Sequence, residues 1–89
     1  MMEESVHVRV LFFAKSRELS GLNECNLELN KKTNLCSEVI NYICDKFDLN
    51  IIKNNVIIAL NSEYCDDLNA VLELKNGDEI AVIPPISGG

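Results

Sequence analysis

The last six residues of this 89-residue chain combine a stiff stem with a slender end: Pro84, Pro85, Ile86, Ser87, Gly88 and Gly89. Proline cannot donate a backbone hydrogen bond, so we expect a strand to end there and the chain to leave it extended, with a reach of about 20 Å. Glycine lacks a Cβ and can enter a channel too narrow for other residues. The pattern predicts a carboxylate on Gly89 that is delivered into the active site of another protein. A frayed chain end that happens to contain glycine is the simpler alternative.

Four cysteines could offer a second kind of chemistry, as metal ligands or as disulfides. Cys25, Cys36, Cys44 and Cys65 contain no CxxC pair, and the chain has a single histidine, so the spacing fits no zinc site. A secreted disulfide framework would follow a signal peptide, but acidic residues occupy the place of its basic segment. We therefore expect no bound metal, four reduced thiols and a protein located in the cytosol of the cytoplasm. Cys36 and Cys44 lie eight apart in a helical pattern, which predicts that both are buried.

The remaining polar groups predict no internal active site. Ser16, Arg17 and Glu18 are consecutive, as are Asp66 and Asp67, and either group could be imagined as catalytic. Surface groups of this kind usually serve solvation or helix capping, and we interpret both in that way.

Composition narrows the class of partner. Eight basic residues against fourteen acidic ones give a net charge of −6, which argues against nucleic acid as a partner. An acidic surface suits a basic protein partner, although a merely solvated acidic face is the alternative. A hydrophobic fraction of 47% is enough for a packed core. The chain has no run of 18 apolar residues, so we expect no membrane association.

Hydrophobic periodicity predicts a single α+β domain. The segments 6–14, 25–29, 56–60 and 78–84 have strand character, and a short strand is expected around Tyr64. A helical turn is predicted from Ser16 to Gly21, and one main helix over 35–47 with Thr33 or Asn34 as its cap. The run 56–60 is apolar throughout, which predicts a central strand or one buried on both faces. Asn76-Gly77 predicts a turn before the last strand.

The resulting order, β-β-α-β-β-β, places one main helix on a mixed sheet, as in the β-grasp or ubiquitin-like architecture. We predict a flexible segment over 1–5, the β-grasp domain over 6–83 and an extended tail over 84–89.

Two strands predict an apolar patch on the outer face of the sheet. Alternation turns Val6, Val8, Val10 and Phe12 inward, and it turns the polar His7 and Arg9 outward together with Leu11 and Phe13. In the last strand Ile80 and Val82 point inward, and Glu79, Ala81 and Ile83 point outward. If the two strands are neighbours, the patch contains Leu11, Phe13, Ala81 and Ile83, with Tyr64 as a further candidate. A covering loop or ordinary surface exposure is the alternative.

Two segments resemble a known family. LFFAKSRELSG (11–21) and NGDEIAVIPPISGG (76–89) are similar to the small, ubiquitin-like sulfur carrier subunit of molybdopterin synthase, especially its eukaryotic type. The resemblance implies that an E1-like enzyme consumes ATP to adenylate Gly89, and that sulfur from a persulfide then gives a thiocarboxylate. The resemblance also implies that the chain binds no cofactor permanently and that it carries AMP only while Gly89 is adenylated.

The resemblance also implies the partners. The loaded tail enters the large subunit and donates sulfur to cyclic pyranopterin monophosphate, forming the dithiolene of molybdopterin during molybdenum cofactor biosynthesis. The small subunit is then a non-catalytic sulfur donor within a heterotetramer, and it contacts the large subunit through apolar residues such as Phe13 and Ile83.

Three alternatives remain open at this point. The chain could carry sulfur for tRNA thiolation or thiamine synthesis, although the Pro-Pro stem favours the molybdopterin branch. It could be a ubiquitin-like modifier joined to lysines through Gly89. It could also be an interaction module whose tail has no chemical role.

Overall fold

The computed structural model describes residues 5–30 and 34–84, with two α-helices, one 3₁₀ helix and seven strands in those ranges. The order is β1 (Ser5–Phe12), α1 (Ala14–Ser20), β2 (Glu24–Asn30), β3 (Asn34–Leu35), α2 (Cys36–Lys46), the 3₁₀ helix Asn50–Asn55, β4 (Ile57–Leu60), β5 (Glu63–Cys65), β6 (Val71–Leu72) and β7 (Glu79–Ile83). Ser5, assigned from the sequence to a flexible segment, is the first residue of β1 and pairs with Asn30.

Five strands form one mixed sheet in the order β2-β1-β7-β4-β5. The central pair, β1 and β7, is parallel, and the other neighbouring pairs are antiparallel. This confirms that the first and last strands are neighbours, with Leu11 opposite Ala81. Because parallel strands run the same way, the carboxyl ends of β1 and β7 meet at one edge of the sheet.

The core lies between this sheet and α2. Val6, Val8, Val10 and Phe12 alternate inward along β1 as predicted, and Ile80 and Val82 do so along β7. Helix α2 adds its buried stripe, which contains Val39, Ile40 and Ile43 as well as Cys36 and Cys44. Phe12 and Phe47 meet edge to face, with ring centroids 4.9 Å apart. The predicted α+β arrangement of a mixed sheet packed against one main helix is therefore confirmed.

Two local predictions were wrong. Helix α1 begins at Ala14 and not at Ser16, because the Ser16 hydroxyl bonds back to the backbone of Phe13, which is the N-cap residue. Helix α2 is preceded by Leu35 and not capped by Asn34, because the Leu35 N–H donates to Glu38 Oε1 at 3.2 Å; Thr33 lies outside the described residues. Strand β4 is an inner strand of the sheet, which confirms the first of the two alternatives predicted for residues 56–60; the second does not apply, since Ile57 is exposed.

The Asn76-Gly77 turn is present, with Gly77 at φ 90° in the left-handed region that glycine adopts without strain. The two-residue strands β3 and β6 form a separate small sheet that the periodicity did not predict.

Candidate functional site: an apolar sheet face and the root of the tail

One row of side chains crosses four strands on the face of the sheet opposite α2. Residues directly opposite each other in a sheet point to the same face, and the observed register places Leu11, Ala81, Ala59 and Tyr64 in line. Leu11 and Ala81 are partly buried, whereas Tyr64 at the edge is 70% exposed. The structure thus brings Tyr64 into line with the predicted patch residues on β1 and β7.

A second row lies nearer the carboxyl ends of β1 and β7. Ile83 is opposite Ile57, which is 45% exposed. Phe13 follows β1 in extended conformation, with φ −128° and ψ 148°, so its side chain points away from the buried Phe12 and is 47% exposed. We call these seven residues the apolar face: Leu11, Phe13, Ile57, Ala59, Tyr64, Ala81 and Ile83.

Sequence reasoning missed Ile57 and Ala59. The run VIIAL is apolar at every position, so it contains no alternation that would reveal which side chains point outward. Ala59 is also only 4% exposed, because a small side chain is easily covered in the middle of a sheet face. The pairing of β4 with β7, seen in the register, is the signal that assigns both residues to this face.

Polar residues border the apolar face on the side away from the tail. Glu24 lies opposite Leu11 on β2, and Arg9 contacts Glu79 on β7 through a short hydrogen bond. That hydrogen bond, together with the nearby charges of Glu79 and Glu24, raises the pKa of Arg9, so the guanidinium remains charged. The outer face is thus polar at the start of the parallel pair and apolar at its end.

The root of the tail lies at the apolar end. Strand β7 ends at Ile83, and Pro84 follows it outside the sheet and is buried. The other predicted tail residues, Pro85, Ile86, Ser87, Gly88 and Gly89, lie outside the described residues. Because Ala81 and Ile83 belong to the strand that leads directly into Pro84, part of the apolar face lies on the same strand as the root of the tail.

A buried hydroxyl secures this root. Ser16 is fully buried, and its Oγ accepts a hydrogen bond from the Phe13 N–H at 2.9 Å. The same hydroxyl lies 2.7 Å from the Phe13 carbonyl oxygen and 3.2 Å from that of Val82. The prediction that Ser16 lies at the surface was therefore wrong, because it is fully buried, but its predicted role in helix capping is confirmed, since it accepts the N–H of the N-cap residue Phe13.

Two of the other polar groups considered from the sequence, Glu18 and Asp67, have structural partners at the surface. Lys15 Nζ lies 4.0 Å from Glu18 Oε1, one turn further along α1. The Asp67 carboxylate accepts the Asn69 N–H at 3.0 Å, which stabilises a turn. Both arrangements fit solvation and capping.

The cysteines have the surroundings of packing residues. Cys36 and Cys44 are fully buried, as predicted, and Cys25 and Cys65 are partly buried. Burial, with a smaller contribution from Cys65, raises the pKa of the Cys36 thiol to about 11, and burial also raises the pKa of Cys44. All four are free thiols in the structure, and in the two described ranges no three ligating side chains come close enough to hold a metal ion. Neither α-helix of those ranges is long and apolar enough to cross a bilayer.

Comparison with known proteins identifies the family. The sequence matches the ThiS family over residues 10–89. The chain belongs to the ThiS family. A relative from Anopheles gambiae, the molybdopterin synthase sulfur carrier subunit, is 52% identical over 87 residues, which cover 97% of this chain and 96% of the relative. The predicted resemblance to the small subunits of molybdopterin synthase is therefore confirmed.

Solved structures support the same assignment. The putative molybdopterin converting factor subunit 1 of Pyrococcus furiosus aligns with a TM-score of 0.70 and 28% identity, over 91% of this chain and 99% of that one. A chain from the complex of subunits 1 and 2 of the Helicobacter pylori molybdopterin-converting factor aligns with a TM-score of 0.62 and 30% identity, over 94% of this chain and all of that one. The predicted ubiquitin-like β-grasp fold is confirmed.

Proposed function

We propose that this chain is the sulfur carrier subunit of a cytosolic molybdopterin synthase and that it acts through the carboxylate of Gly89. The observation that carries the proposal is that one strand, β7, contributes to the apolar face and leads into the tail. Strand β7 supplies Ala81 and Ile83 to the face and continues into Pro84. A partner that binds the apolar face is therefore positioned next to the place from which the tail emerges.

The chemistry of a carboxylate requires activation before sulfur can be attached. A terminal carboxylate has a pKa of about 3.5, so it is ionised at neutral pH and resists nucleophilic attack. In our proposal an E1-like partner consumes ATP, forms the acyl-adenylate of Gly89 and releases pyrophosphate. A persulfide sulfur then attacks the carbonyl carbon and AMP leaves. A thiol of the sulfur-supplying enzyme cleaves the resulting acyl disulfide, which leaves the thiocarboxylate and a new disulfide.

The large subunit is the second proposed partner. The relative in Helicobacter pylori is a complex of subunits 1 and 2, which supports a large-subunit partner here. The apolar face would bind that subunit, and residues 85–89 would carry the thiocarboxylate into its active site. This chain would supply the reacting sulfur, and the partner would supply the pocket that holds the cyclic pyranopterin monophosphate precursor. The expected assembly is a heterotetramer.

Tail variants test this function. Large subunit, E1-like enzyme, ATP, a sulfur source and precursor are combined with the natural chain, with a chain lacking Gly89, and with a chain extended by one alanine beyond Gly89. We expect dithiolene formation only with the natural chain, while all three bind the large subunit through the apolar face. Full synthesis with either altered tail, verified by mass to be untrimmed, would contradict the proposal.

A further inference from the structure

The Ser16 hydroxyl occupies a position that a backbone hydrogen bond would normally fill. In the parallel pair of β1 and β7, the Arg9 N–H donates to the Asp78 carbonyl oxygen at 2.8 Å. Advancing both strands by four residues predicts a bond from the Phe13 N–H to the Val82 carbonyl oxygen. The Phe13 N–H instead donates to Ser16 Oγ, which in turn lies 3.2 Å from that carbonyl oxygen. The hydroxyl thus bridges the last rung of the ladder.

The bridge is placed where the two strands separate. After Phe13 the chain turns into α1, and Ala14 adopts φ 52°, a left-handed conformation that costs a residue with a Cβ roughly 1 kcal/mol. The Phe13 carbonyl oxygen accepts the Ser16 N–H at 3.0 Å and also accepts from the Ser16 hydroxyl at 2.7 Å, so the single hydroxyl proton is shared between the carbonyl oxygens of Phe13 and Val82. Ser16 therefore holds the strained turn on one side and the end of β7 on the other.

The end of β7 determines the direction in which the tail leaves. Val82 is two residues before Pro84. The position of its carbonyl oxygen fixes the plane of the peptide bond between Val82 and Ile83. The tip of a fully extended tail of about 20 Å would move by about 5 Å for a rotation of about 15° at the root. Misplacement of reacting groups by about 1 Å can already cost on the order of 100-fold in rate.

We propose that Ser16 is a positioning residue for the tail: its hydroxyl fixes the end of β7, so that Gly89 is presented in a productive direction. This role rests on the function proposed above. It concerns the rate at which bound carrier reacts, and it is separate from the affinity of the apolar face. Loss of the hydroxyl leaves the Phe13 N–H and the Val82 carbonyl without their bridge, so the end of β7 loses its connection to the start of α1 and keeps its pairing with β4.

The test uses Ser16→Ala with Val39→Ala as the matched control, because Val39 is a buried residue of α2 and lies outside the β1–α1 junction and β7. Both chains and the natural chain are prepared with a C-terminal thiocarboxylate. Single-turnover sulfur transfer is then measured with saturating large subunit, well below the melting temperature of each variant. We expect Ser16→Ala to slow transfer at saturation about tenfold or more, with the dissociation constant changed less than about threefold. Val39→Ala should transfer at the natural rate.

Three results would overturn the role of Ser16. The first is sulfur transfer by Ser16→Ala at the natural rate, and the second is an equal slowing of transfer in Val39→Ala. The third is a Ser16→Ala defect that disappears when the large subunit is saturating. A natural chain that transfers no sulfur would contradict the proposed function itself, and the role of Ser16 with it.

A second variant keeps the test informative if Ser16→Ala does not fold. Ser16→Cys fills nearly the same space with a weaker donor and acceptor, so we expect a smaller slowing in the same direction. The backbone order parameter of the Ile83 amide provides a measurement that needs no activity. It should fall in the Ser16 variant and not in Val39→Ala, and an unchanged value would refute the bridge.

Discussion

Phe13 exposes about half of its side chain where β1 leaves the sheet, close to the root of the tail. Burial of an apolar ring against a partner at this position favours binding, whereas burial of a carboxylate opposes it. We therefore expect Phe13→Asp to weaken binding of the large subunit at least tenfold, as measured by calorimetry. The matched control is Ile51→Asp on the 3₁₀ helix, which is 79% exposed and lies outside the apolar face. Equal affinity for Phe13→Asp and the natural chain would show that the face is not the docking surface.

Cys36 makes a prediction about pH. Its pKa is raised from 9.0 to about 11 by burial in the folded chain, whereas the unfolded chain exposes it. The neutral thiol therefore stabilises the fold at pH values below about 9, and this contribution is lost as the pH rises towards 11. Urea unfolding should show a decrease of up to about 1.4 kcal/mol per pH unit from this group in that range. Cys36→Ala should show a shallower decrease, and parallel pH profiles would contradict the assignment.

At the scale of the element, β7 connects the core with the apolar face and the tail. Ile80 is fully buried between sheet and helix, whereas its neighbours Glu79 and Ala81 point to the outer face. We expect Ile80→Ala to lower the free energy of unfolding by about 2–5 kcal/mol, because it removes buried hydrocarbon and leaves a cavity. Urea unfolding measures this change. Ile51→Ala, at an exposed position, should stay within about 0.5 kcal/mol of the natural chain, and similar losses for the two variants would contradict this packing.

The elements also show what the sequence could predict and why. Alternation along β1 and β7 correctly predicted which side chains face the core, because one face is buried and the other is not. The wide apolar stripe correctly predicted α2. The pair β3–β6 was missed because two residues carry no measurable period. Ser16 was misjudged for a different reason: serine is usually a surface residue, and only the register reveals the rung that it bridges.

At the scale of the whole molecule, the proposed function separates binding from chemistry. The described residues supply a surface and the strand that leads into the tail, and our proposal assigns the reaction to the carboxylate of Gly89. The net charge of −6 fits a basic partner, and the polar border that contains Glu24 and Glu79 can orient such a partner on the apolar face. This division accounts for a small domain in which we find no catalytic constellation among residues 5–30 and 34–84.

The most direct test of this account is the mass of the intact chain after incubation with ATP, an E1-like enzyme and a sulfur source. Replacement of one carboxylate oxygen by sulfur should add about 16 Da, and fragmentation should locate the increase at Gly89. The increase should be absent without ATP and in a chain that lacks Gly89. An unchanged mass under conditions that load a related carrier, or an increase located on a cysteine, would contradict the claim that this protein works through its terminal carboxylate.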